Sequence, residues 1–139
     1  MKRFSLILFL LGFCFAVSVQ AKKKYPVIKF EKTTIDLGTF PQNDARRTCT
    51  FTFSNVGQAP LIINYVYTSC GCTVAEYPKD PIAPGARGEI TVTYDGSDKQ
   101  PGRFKKSIQV FSNCKTDLAR VFILGNMTAL NRELDSKKR

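Results

Sequence analysis

Residues 47–53 read Arg-Thr-Cys-Thr-Phe-Thr-Phe, an unbroken alternation that puts Cys49, Phe51 and Phe53 on one face and Thr48, Thr50 and Thr52 on the other. Successive side chains of an extended strand point to opposite faces, so the pattern specifies a half-buried strand; on a helix it would scatter the apolar groups around the axis. The rest of the chain agrees. No window carries a long 3.6-residue apolar period, and no segment repeats at a fixed spacing. Short β-rich runs recur instead: Val27-Ile28-Lys29-Phe30, Thr34-Ile35-Asp36-Leu37, a run over 61–68, Ile90, Val92 and Tyr94 alternating with Glu89, Thr91 and Thr93, then 104–112 and 118–124. Between them lie turn-forming stretches, among them Asn55-Val56-Gly57-Gln58-Ala59-Pro60 and a segment over 78–85 that holds three prolines and a glycine. About seven strands, parted by turn signals every 8 to 12 residues or so, specify an all-β chain folded as an antiparallel immunoglobulin-like β-sandwich. Over 61–68 the apolar side chains fall in both phases, which predicts a strand covered on both faces. Only 129–137 has helical character, and it reads equally as a frayed tail.

A chain of 139 residues holds one such domain. Lys2 and Arg3, an apolar run over 4–19, and Val19-Gln20-Ala21 read as a secretory signal cleaved after Ala21. The run is shorter than the roughly 20 residues a membrane-spanning helix needs, so cleavage and export to the periplasm or beyond are expected, with no stable membrane insertion afterwards. A retained N-terminal anchor is the alternative, because Lys22-Lys23-Lys24 opposes translocation of the chain downstream of it. The expected organisation is a signal over 1–21, a basic tail over 22–26, the sandwich over 27–127 and a polar basic tail over 128–139.

Charge and composition narrow the function. The net charge is +10, yet eight of the basic residues sit in three terminal clusters and leave 13 basic against 11 acidic residues in the body. A nearly neutral body with interspersed signs is not a phosphate-binding stripe, so nucleic acid is not an expected partner. Histidine is absent, which excludes Ser-His and Cys-His nucleophile pairs and His-ligated zinc. No convergent acid, base and nucleophile can be assembled, and neither an enzyme nor a cofactor is expected. Asp36, Asp95 and Asp98 lie near glycines where acidic residues usually serve turns, without the alternating oxygens of a calcium loop.

Ser69-Cys70-Gly71-Cys72-Thr73 is the most specific local feature. Residues two apart on an extended chain point the same way, so both sulfurs face one place and Gly71 lets the backbone bend around it. The exported cysteines are Cys49, Cys70, Cys72 and Cys114, which allow three pairings. The structural reading makes them staples or buried thiols, with about 2 to 5 kcal/mol lost on removing a native disulfide. The functional reading makes Cys70 and Cys72 a site for Cu(I) or for disulfide exchange. A four-cysteine zinc site lacks the two Cys-x-x-Cys knuckles it ordinarily uses. A true immunoglobulin domain is also not met: Cys49 and Cys114 have a plausible separation, but there is no tryptophan and Ser112 stands where a tyrosine belongs.

The succession Ile35-Asp36-Leu37-Gly38, Phe51-Thr52-Phe53-Ser54-Asn55-Val56-Gly57, Pro60-Leu61, Ser69-Cys70-Gly71-Cys72-Thr73, Pro81-Ile82-Ala83-Pro84-Gly85, Val92-Thr93-Tyr94-Asp95, Gly102 with Phe104, and Val110-Phe111-Ser112-Asn113 resembles the bacterial domain-of-unknown-function family 1573. That family is common in exported proteins of Bacteroidota and is similar to the immunoglobulin-like modules of the ASPM, SPD-2 and Hydin group and to the major sperm protein fold. The resemblance implies a sandwich used for binding, with no activity to borrow; a complete sandwich without a catalytic set leads us to expect a non-catalytic module that contacts a protein or a cell-envelope component through sheet edges or loops. Cys49 and Cys114 stand outside the family pattern.

Overall fold

The structure, a computed structural model, describes residues 23–129; the segment expected to be a signal and most of the expected C-terminal tail, including the stretch of helical character over 130–137, lie outside the described residues. Among the described residues eight strands form: β1 (Ile28–Phe30), β2 (Thr34–Pro41), β3 (Arg46–Asn55), β4 (Ile63–Thr68), β5 (Thr73–Glu76), β6 (Arg87–Asp95), β7 (Gly102–Ser112) and β8 (Leu118–Thr128). They make two four-stranded sheets, β1-β3-β6-β5 and β2-β8-β7-β4, so the immunoglobulin-like sandwich is the fold. One strand more is present than the sequence signals. β5 has only four residues and turns nothing bulky inward, Thr73 and Ala75 alone, so it leaves no alternation of large apolar groups. One pair also departs from the antiparallel rule, since β2 runs parallel to β8.

The core is what the alternation requires. Phe51 and Phe53 of β3, Ile90, Val92 and Tyr94 of β6, Ile108 and Val110 of β7, and Val121 and Ile123 of β8 meet between the sheets, essentially without solvent contact. Each such side chain contributes about 1.5 to 3 kcal/mol by leaving water.

Two β-bulges break the period of two and reset which side chains face in. In β2 the register against β8 shifts between Asp36 and Thr39, at Gly38 with φ +78°, and Asp36 Oδ1 accepts the Gly38 N–H at 2.8 Å. Ile35 and Leu37 lean inward before the bulge, and Phe40 takes over after it. In β4 the register against β7 shifts between Ile63 and Tyr65, so Asn64 is the extra residue. Ile63 and Val66, three apart, therefore both face the core, and Tyr65 and Tyr67 turn to solvent. Apolar residues in both phases of 61–68 thus mark a bulged strand and not one covered on both faces, because the outer face of β4 leaves Tyr65 and Tyr67 exposed. Among the described residues no helix is long and apolar enough to cross a membrane.

Candidate functional site

At Thr68 the chain leaves one sheet, and at Thr73 it enters the other; the four residues between turn the corner. Backbone bonds hold this corner to both sheets. The Ser69 N–H donates to the Ser107 carbonyl of β7 at 3.2 Å, and the Asp95 N–H at the end of β6 donates to the Cys72 carbonyl at 2.8 Å. The Thr68 hydroxyl donates to the carbonyls of Thr73 at 2.8 Å and Cys70 at 3.3 Å. Inside this frame Cys70 and Cys72 are joined to each other as a disulfide, their Cα atoms 5.3 Å apart. Cys70 is half-buried and Cys72 buried, and the buried Thr73 hydroxyl lies 3.5 Å from Cys70 Sγ and 3.9 Å from Cys72 Sγ. Gly71 is not what bends the corner. Its φ is not positive and a Cβ there would meet nothing within 4 Å, so an alanine fits the same backbone.

Of the three possible pairings the structure takes the one between neighbours and leaves Cys49 and Cys114 as free thiols. Cys49 sits on β3 opposite Val92, and burial pushes its thiol up from the ordinary cysteine range. Iodoacetamide at neutral pH should therefore modify Cys49 far more slowly in the folded protein than after unfolding, as peptide mapping by mass spectrometry would read. Cys114 lies half-buried after β7, against the edge of the core. Among the described residues no three His, Cys, Asp or Glu side chains gather as a metal site, so the four cysteines are not brought together.

The size of the ring corrects the expected stability. A disulfide acts mainly by shortening the unfolded chain's excursions, and Cys70–Cys72 closes a loop of only three residues. The chain-entropy relation gives about 1.6 kcal/mol for so short a loop, below the 2 to 5 usual for a native staple. Changing both cysteines to serine should thus lower the unfolding free energy in urea by about 1.6 kcal/mol, while Gly71→Ala should stay within about 0.5 kcal/mol.

A second feature shares this edge of the sandwich and was not singled out from the sequence. Tyr65 and Tyr67 on the outer face of β4 are 51% and 55% exposed, and Val74 on the outer face of β5 is 62% exposed. The Tyr65 ring stacks on Phe111 of β7 with centroids 4.3 Å apart, which fixes an aromatic platform against the sheet. β4 and β5 are each terminal in their sheets and lie side by side. The polar Asn64 interrupting the apolar run was the available signal, since it marks where the facing residues change phase.

Asp36 and Asp95 serve turns. Asp36 caps the β2 bulge, and Asp95 Oδ1 accepts from the Ser97 N–H at 3.0 Å and hydroxyl at 2.6 Å, which hold its carboxyl below the usual range. A cleft of about 600 Å³ lies over the β2 bulge between Asp36 and Thr39 on one side and Arg103 and Lys105 on the other. It is open and mixed in charge.

Comparison with known proteins places this geometry. The family model described as protein of unknown function (DUF1573) matches residues 28–127. No curated protein sequence matches the chain. Among solved structures, a protein of unknown function from Porphyromonas gingivalis W83 superposes with a TM-score of 0.66 at 18% identity, over 80% of this chain and 51% of that one. This chain thus spans about half that protein's length. The seventh ASH/PapD-like domain of human CEP192 superposes at 0.61 with 9% identity, over 83% of this chain and 94% of the other. The periplasmic chaperone SfaE does so at 0.53 with 12% identity, over 81% and 65%. At these identities the likeness is one of fold.

Proposed function

The chain belongs to the DUF1573 family, proteins of unknown function, and we propose that it is an exported, non-catalytic binding module that holds an extended segment of another protein or envelope component along the β4 edge. The observation that carries this is the placement of Tyr65 and Tyr67 on a terminal strand, beside a second terminal strand with Val74 exposed. A terminal strand offers unpaired N–H and C=O groups, and alternate side chains of the added strand find pockets or platforms beside it. Exposed tyrosines at an otherwise vulnerable edge suit capture better than protection, which would use charge or proline. The signal-like N-terminus supports export, and the likeness to a periplasmic chaperone fits it.

The test uses a benzophenone amino acid in place of Tyr67, with a control in place of Thr50 on the outer face of the other sheet. Irradiation of the cells that make the protein should yield a discrete adduct from position 67 and none from position 50. Adding Tyr65→Ser should reduce that adduct about tenfold or more. Equal labelling from both positions, or an adduct indifferent to Tyr65, would remove the basis for this reading.

A further inference from the structure

We propose that Cys70–Cys72 is an exchangeable disulfide that takes two electrons from a dithiol on a partner protein, with Cys70 as the sulfur attacked and Cys72 as the leaving thiolate. Three observations carry it. The ring closes three residues and so stabilises the fold less than a staple across a long loop would, which weakens the usual reason for a disulfide at a sheet corner. The backbone bonds from Ser69 to Ser107 and from Asp95 to Cys72 hold the corner without the sulfurs, so opening the ring leaves β4 and β5 in place. The two sulfurs are unequally reachable: Cys70 is half-buried and Cys72 buried, with the Thr73 hydroxyl 3.5 Å from the first and 3.9 Å from the second.

The chemistry balances within the pair of proteins. A partner thiolate attacks Cys70 Sγ in line with the ring bond; the new bond joins the partner's sulfur to Cys70, the Cys70–Cys72 bond breaks, and its electron pair leaves on Cys72 Sγ. The Thr73 O–H, within reach of both sulfurs, donates to the departing thiolate, which then takes up a proton. The partner's second thiol, as thiolate, attacks its own sulfur in the mixed disulfide and releases Cys70 as a thiolate, which is protonated in turn. The partner loses two electrons and two protons and gains a disulfide; this chain becomes the dithiol. Burial of Cys72 opposes a lasting charge there, so protonation follows cleavage directly. The substrate is a pair of cysteine thiols on a chain slender enough to reach a corner flanked by terminal strands.

The oxidised protein is mixed with a synthetic peptide carrying two cysteines, quenched with iodoacetamide and mapped by mass spectrometry. One peptide disulfide should form per protein, with the new alkylation on Cys70 and Cys72 and the circular dichroism spectrum unchanged. With glutathione disulfide as probe, Cys72→Ser should accumulate the mixed disulfide at Cys70 at least about tenfold faster than Cys70→Ser does at Cys72. Thr73→Val should slow peptide oxidation about tenfold and Thr73→Ser should restore it, a pattern that a packing role for Thr73 would not produce. A ring that excess peptide dithiol leaves intact in the folded protein and opens only in denaturant overturns the proposal, and this measurement needs no variant.

Discussion

Replacing Asn55 with alanine should lower the unfolding free energy by about 3 to 5 kcal/mol, more than any change at the cysteines, with the midpoint of a urea titration as the measurement. Asn55 is wholly buried at the end of β3, and its amide is used on both sides. Nδ2 donates to the Ala59 carbonyl at 2.8 Å and to the Ile82 carbonyl at 3.0 Å. Oδ1 accepts the Gly57 N–H at 3.0 Å and the Val27 N–H at 3.3 Å. One side chain thus joins the turn after β3, the proline-rich segment before β6 and the N-terminal segment ahead of β1. Alanine would leave four backbone groups to find other partners; the Ile82 carbonyl keeps the Leu61 N–H, and water can reach some of the rest. Each group left bare in the interior costs about 1 to 3 kcal/mol, so even two unsatisfied ones account for the expected loss. Asn55→Asp separates the two halves of the amide. It keeps both acceptor bonds, turns the donors into repelled oxygens facing the Ala59 and Ile82 carbonyls, and should be at least as damaging at neutral pH, with partial recovery in acid as the carboxyl takes a proton.

The turn signal at 55–60 was legible in the sequence as turn chemistry, but its importance was not. Asparagine before Val-Gly reads as a local turn former, and the bonds that make it a tie to residues 27 and 82 belong to partners far along the chain. The same division runs through the fold. Strict alternation identified β3, β6 and the inward residues Phe51, Phe53, Ile90, Val92 and Tyr94, because a period of two is a local property. It failed at the bulges of β2 and β4, where an extra residue resets the phase, and at β5, which is too short for a period to show. The aromatic edge at Tyr65 and Tyr67 was hidden by that failure, since an apolar run read in both phases as buried includes residues that one inserted asparagine turns outward. The Cys-Gly-Cys motif was conspicuous for its residue types, and its placement at a sheet corner held by other bonds depends on β4 and β5 lying in different sheets.

Gly57→Ala should cost about 3 kcal/mol and should open one part of the molecule before the rest. A Cβ at position 57 would fall on the backbone of the N-terminal segment, at the Tyr25 carbonyl oxygen and the Val27 nitrogen, and backbone cannot swing aside as a side chain can. That segment is bonded across the same turn, Val56 N–H to the Val27 carbonyl and Gln58 N–H to the Tyr25 carbonyl, both at 2.9 Å. Relief must come from moving residues 25–27 away, which breaks these two bonds and the Val27 contact to Asn55 and loosens β1 from the edge of its sheet. The β7–β8 pair, which is in the other sheet, shares none of these groups. Hydrogen exchange of the variant should therefore show the amides of Val56, Gln58 and β1 exchanging through a local opening, while those of Val110, Val121 and Ile123 still report the global, reduced stability. Uniform loss of protection across both sheets would mean that the N-terminal segment is no separate unit and that the clash is transmitted through the core. If protection and midpoint were unchanged, residues 25–27 would not lie against Gly57 at all.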